Sequence, residues 1–173
     1  KKIDSIKVDA RTVNDVKVSQ DGTIAIISRE GASNRKNGIF ILDVTNPYDV
    51  KVLSEYTKNL NGGVHNLFID NNHAYVLGSG ERYYILNIED PTNPVEVGMF
   101  EVGTEGQNIH DVWIEDGIAY SSNWRDGVYL VDVGNGIAGG SPSNPVPFSN
   151  YTYASGANHA AFPFKSKSTG TFY

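Results

Sequence analysis

The chain has 173 residues, no cysteine and a formal net charge of −6. That length suits one domain with a real core, the lack of thiols excludes disulfides and thiolate metal sites, and mild acidity without a basic patch argues against a nucleic-acid partner. No apolar run is long enough to span a membrane.

Residues 1–9 place Ile3, Ile6 and Val8 among polar side chains and predict a short strand, the outer strand of a preceding or closing unit. From residue 13 a pattern begins that then recurs. Val13-Asn-Asp-Val-Lys-Val18 and the β-branched run from Thr23 to Ser28 flank the turn Gln20-Asp-Gly22, which reads as a hairpin. A polar loop then leads to a third strand, Gly38-Ile-Phe-Ile-Leu-Asp-Val44, and Thr45-Asn-Pro47 turns the chain into a fourth that ends at Tyr56.

The second unit, 64–101, repeats this order through Asp70-Asn-Asn72, the strand Arg82-Tyr-Tyr-Ile-Leu-Asn-Ile88 and the turn Asp90-Pro-Thr-Asn-Pro94. A third, 109–153, runs through Glu115-Asp-Gly117 and the loop Asn123-Trp-Arg-Asp126 to Gly127-Val-Tyr-Leu-Val-Asp-Val133. Residues 134–145, rich in Gly, Ser, Asn and Pro, read as an irregular surface loop before a last strand near 147–153. A partial fourth unit covers 158–173. Apolar runs are short and bounded by turns throughout, so no amphipathic helix is expected.

Asn14, His65, His110 and His159 begin the four units and lie 51, 45 and 49 residues apart. Roughly 40 to 50 residues per four antiparallel strands is the length of a propeller blade. The expectation is an all-β chain: a partial β-propeller of about three complete four-stranded blades with parts of two others.

The segments Gly38 to Val44 and Gly127 to Val133, with Val64-His-Asn, Ile109-His-Asp and the pairs Ala74-Tyr75 and Ala119-Tyr120, resemble the LVIVD-repeat family of bacterial and archaeal surface proteins. The resemblance covers nearly the whole chain. It implies a propeller, an exported or cell-surface setting and no common activity; the residues themselves leave the cytoplasm open as a compartment. The first unit departs from the pattern, with Asn14 in the histidine position and Ile26 in the tyrosine position.

Because antiparallel strands reverse at each turn, the starts of the first strands share an end of the fold with the loops between second and third strands. That gathers Asn14, His65, His110 and His159 with Glu30 and with Arg29, Arg82, Trp124, Arg125 and Asp126, the residues expected to contact a ligand. His65 shares strand parity with Leu67 and Ile69, and His110 with Val112 and Ile114, which turns the imidazoles towards a neighbouring unit. The other reading makes His65, His110 and His159 ligands of copper, zinc or iron. Asp15, Asn66 and Asp111 would then orient them or cap turns.

Two functions follow. One is an interaction or scaffold module without cofactor that binds a protein, glycan or small molecule; the other is a metal-dependent, oxidoreductase-like enzyme.

Overall fold

The computed structural model describes residues 2–78, 80–103, 108–171 and 173. Among these the secondary structure is all β, with no helix and hence none long and apolar enough to cross a membrane. Three four-stranded antiparallel sheets follow one another along the chain. The first holds β1 (Val16–Val18), β2 (Ile24–Arg29), β3 (Gly38–Asp43) and β4 (Lys51–Tyr56). The second holds β5 (Val64–Asp70), β6 (His73–Gly78), β7 (Arg82–Asn87) and β8 (Val95–Glu101), and the third β9 (Asp111–Glu115), β10 (Ile118–Ser122), β11 (Val128–Asp132) and β12 (Val146–Tyr151). Each sheet is a meander in sequence order, and β5 lies against β1 and β2 on one side and β9 on the other.

Two apolar layers join the sheets, and the middle sheet supplies both. Ala74, Val76, Leu86 and Ile88 pack with Ile26, Ile39 and Ile41 of the first sheet, whereas Tyr75, Leu77, Tyr83 and Ile85 pack with Val112, Ile114 and Val131 of the third. Successive side chains of a strand point to opposite faces, so a strand covered on both sides becomes a continuous apolar run. This is why β6 reads Ala-Tyr-Val-Leu without polar alternation.

The sheets share small irregularities as well. Each has a register shift between its third and fourth strands, at Ile41/Leu42, Ile85/Leu86 and Leu130/Val131. Each fourth strand is preceded by a turn with proline in second place: Asp49 N–H donates to Asn46 O, Asn93 N–H to Asp90 O and Asn144 N–H to Ser141 O, all at 3.0 Å. Proline presets the backbone that the second position of such a turn requires. The stretch 134–145 is thus an insertion followed by the same turn. Asp43 to Asn46 and Asn87 to Asp90 are three residues apart, Asp132 to Ser141 nine.

Asp132 organises that insertion. Its fully buried carboxylate accepts four backbone N–H groups: Gly134 (3.0 Å) and Gly136 (3.1 Å) on Oδ1, Ala138 (2.7 Å) and Gly140 (3.0 Å) on Oδ2. Asp43 and Asn87, at the same strand end, each use a side-chain oxygen on the amide two residues ahead, that of Thr45 and of Glu89. An Asx side chain here closes the turn, and in the third sheet a larger one.

The turns also connect sheets. Ser54 Oγ of β4 donates to Pro91 O at 2.6 Å, and Gly98 of β8, which sits opposite Ile85 as Ser54 sits opposite Ile41, faces the Pro142 carbonyl so closely that a Cβ would overlap it.

Two stretches differ from the strands expected of them. Residues 2–9 join no sheet; Asp4 Oδ2 accepts the Val50 N–H (2.8 Å) and Asp9 binds Ser33 (2.8 and 3.1 Å), so carboxylates rather than a ladder fasten them beside the first sheet. Residues 158–162 make a single bridge, Asn158 to Trp124, and beyond them Phe164 and Tyr173 exchange backbone hydrogen bonds. The first strand is also shorter than its sequence pattern: the Ser28 hydroxyl accepts the N–H groups of Asn14 and Asp15, while Ser28 N–H donates to Asp15 O at 3.0 Å.

Candidate functional site

The polar residues at the starts of the first strands converge at one end of the three sheets. In β5, Val64 pairs with Gly78 and Leu67 with Val76, so His65 and Asn66 together oppose Leu77. This extra residue bends the strand and reverses the alternation. Leu67 and Val64 are both buried, while His65 turns outward with its side chain 56% exposed. The parity that aligned His65 with Leu67 therefore fails at a bulge. His110 lies just ahead of β9, its N–H on Ser122 O at 2.7 Å.

Outward placement brings the imidazoles together. The ring centroids of His65 and His110 are 5.3 Å apart, those of His110 and His159 4.0 Å apart, and Trp124 stacks on His110 at 5.0 Å with 29° between planes. Glu30 Oε1 is 3.3 Å from His65 Nδ1. His110 Nδ1 is 3.0 Å from His159 O; a carbonyl only accepts, which assigns the proton to Nδ1 and leaves Nε2 with its lone pair. Among the described residues no group of three His, Asp or Glu side chains is arranged to hold a metal ion.

These groups edge a cleft of about 590 Å³. Glu30, His65, His110 and Trp124 line it; Asn108 lies beside Gly80, and Leu77 and Ile109 supply apolar surface. Trp124 is held on a tight turn, with Asp126 N–H on Asn123 O (2.8 Å), Asn123 N–H on Gly127 O (2.7 Å) and the fully buried Asn123 accepting from Ser121 Oγ (2.7 Å). Its φ of 47° is left-handed, a conformation costly for a bulky side chain.

Of the five residues expected to contact a ligand, only Trp124 reaches this cleft. Arg29 is 2% exposed: its guanidinium lies 4.7 Å from the centre of the Phe40 ring and pairs with Glu55 on β4. Strand β2 runs one residue further than its pattern suggested, carrying Arg29 from the loop into the sheet. Arg82 pairs across to Glu101, opposite it on β8 (2.9 Å). Arg125 is exposed on the Trp124 turn, and Asp126 directs its carbonyl to Thr152 Oγ1 (3.4 Å). Glu30 and Asn108 complete the site; Glu30 was legible as a loop neighbour of His65, whereas nothing in the local sequence marked Asn108.

The neighbouring acids serve other ends. Asp15 binds Lys17 Nζ through both oxygens at 2.6 Å and accepts Leu67 N–H at 3.0 Å, pinning the first sheet to β5. Burial pushes the Asp111 carboxyl above the ordinary range.

Burial, aided by the positive charge His159 would carry, lowers the pKa of His110 from the ordinary 6.5, although its bond to the His159 carbonyl works the other way. His110 is thus expected to titrate below 6.5 in an NMR pH series. His159→Ala should move its midpoint upward, because the backbone carbonyl stays and the neighbouring imidazole goes; an unchanged or lower midpoint would contradict the coupling. A lowered folded value means that the unfolded chain binds the proton more readily, so this group's contribution to stability is present above 6.5 and is lost as the pH falls through the folded value.

No protein-family model and no curated protein matches this chain.

Proposed function

We propose that the chain is part of a β-propeller that serves as a non-catalytic interaction module, of the LVIVD-repeat kind and at the cell surface, and that it takes up its ligand in the cleft between Glu30, His65, His110 and Trp124. The convergence of these four side chains, drawn from all three sheets onto one concavity, carries this reading. A propeller arrangement is supported by the order of neighbouring first strands β1, β5 and β9, by the bulge and proline turn common to the sheets, and by the contacts of Ser54 and Gly98 with the turn of the following sheet.

A concave, partly apolar site with a few convergent polar groups is the usual form of a small-ligand site. The test is label-free binding of peptide, glycan and small-molecule panels to the full chain and to a Glu30→Gln/His65→Ala variant. The expected result is a ligand whose affinity falls at least about tenfold in the variant, the equivalent of losing one good polar contact. Ligands bound equally by both proteins, or none captured by either, would overturn the proposal.

A further inference from the structure

We infer that the ligand of this cleft is an uncharged saccharide, its ring laid on Trp124 and its hydroxyls taken by Glu30, His65 and Asn108; the inference rests on the interaction-module reading above.

The argument begins with Trp124. A left-handed backbone at a tryptophan carries a steric cost that glycine or asparagine would largely avoid. The turn around it is closed by bonds from Asn123, Asp126 and Gly127, and none of them uses the indole. What the indole does is stack against His110, meet the His159 ring at 6.2 Å and stand 36% exposed at the cleft. Strain of this kind is retained where a side chain must be aimed. The result is a rigid aromatic plate, backed on one side by an imidazole.

Charge then narrows the ligand. No Lys or Arg occurs among the described lining residues: Arg29, next to Glu30 in sequence, is buried against Phe40 and Glu55, Arg11 is paired with Glu30, and Arg125, next to Trp124, is exposed outside the lining. Phosphate and carboxylate ligands call for such cations in the lining, and here they would meet the Glu30 carboxylate with Arg11 already paired to it. A cationic ligand would find that carboxylate already beside His65 Nδ1 at 3.3 Å and Arg11 Nη2 at 3.6 Å. The polar groups that remain suit a neutral polyol: a carboxylate that accepts from hydroxyls, an imidazole, and an amide that both donates and accepts.

The surface between these groups fits the same chemistry. Gly62, Gly63 and Gly80 put backbone rather than side chains at the wall, and Leu77 and Ile109 add apolar area. A pyranose offers a C–H face to an aromatic plane and hydroxyls around its rim. A flat aromatic ligand would use the plate and leave the polar rim without partners, which is costly once water is displaced. The cleft's 590 Å³ lies within the range of small-molecule sites and admits a short oligosaccharide.

The chain's two tryptophans make the test direct. Trp113 packs between Phe68 and Phe162, so Trp113→Phe leaves Trp124 as the sole indole emitter. Neutral disaccharides (cellobiose, maltose, lactose and chitobiose) are titrated into this variant of the full chain and followed by fluorescence, with calorimetry on the unsubstituted protein. At least one should give a saturable change in the millimolar range or tighter. Glu30→Gln and Asn108→Ala should each weaken it about tenfold, and Trp124→Phe less than Trp124→Ala, with circular dichroism and Tm confirming the fold of each. Saccharide binding that ignores Trp124→Ala and Glu30→Gln would overturn the assignment. If the disaccharides fail while a peptide or aromatic ligand still depends on Glu30 and His65, the saccharide falls and the cleft stands as a ligand site. If nothing binds in either experiment, both readings fall.

Discussion

Asp132→Asn is expected to lower Tm by on the order of 10 °C at neutral pH, although it changes one buried atom and almost no volume. The native carboxylate faces four N–H donors, two on each oxygen. An asparagine keeps one acceptor and turns an NH₂ towards the other pair, so two backbone donors confront a donor and stay buried. Hydrogen bonds to a charged acceptor are among the strongest a protein makes, and an amide left without an acceptor bears its whole desolvation cost. The loss should be local first, with faster amide exchange at Gly134, Gly136, Ala138 and Gly140.

The same carboxylate makes a pH prediction. Burial alone would raise its pKa, but the bonds from Ala138, Gly134, Gly140 and Gly136 outweigh burial and hold it well below the ordinary 3.8. With the folded value depressed, the contribution is complete above 3.8 and is lost as the pH falls towards the folded value. Thermal melts of the native protein and of Asp132→Asn should therefore converge as the pH is lowered below 3.8. A gap in Tm that stays constant to pH 2 would show that the carboxylate's charge is not what holds the loop.

The second large effect concerns Arg29. Its side chain is 3% exposed and its ion-pair partner Glu55 40% exposed, so the pair is dry at one end and wet at the other. Removing Glu55 leaves a guanidinium over Phe40 whose Nε already lacks a hydrogen-bond partner. Glu55→Ala should cost about 2 kcal/mol, less than the 3–5 of a fully buried pair because solvent reaches the carboxylate. Arg29→Met removes the charge and keeps most of the volume. In urea denaturation, the double variant Arg29→Met/Glu55→Ala should be more stable than Glu55→Ala alone. The opposite order would mean that the arginine stabilises through packing and its stack on Phe40, with Glu55 incidental.

The strand pattern was legible because each sheet is bounded by turns whose chemistry is local: Asp-Gly or Asn-rich hairpins, then an Asx and a proline. The clustering of His65 and His110 followed from strand reversal and unit spacing alone. What the sequence hid depends on individual contacts that leave no local pattern. The bulge at His65 and Asn66 reverses the face of the imidazole, and no residue there announces it. The Ser28 hydroxyl takes the Asn14 N–H from 14 positions away in the chain. Arg29 looked like a loop cation because its partners, Phe40 and Glu55, are distant in sequence. The stretch after Asp132 looked irregular because its order comes from one carboxylate acting on glycine amides, which carry no side-chain pattern to read.

The contact between Ser54 and the Pro91 carbonyl, matched by Gly98 against Pro142, bears on how such a chain changes over time. A seam made by a hydroxyl or a bare hydrogen against a main-chain oxygen asks only for a small residue on one side and a proline turn on the other. Neighbouring sheets can drift apart in their side chains and still meet at the same pitch. Gene duplication could then add or remove a unit with only the apolar layers left to be re-matched.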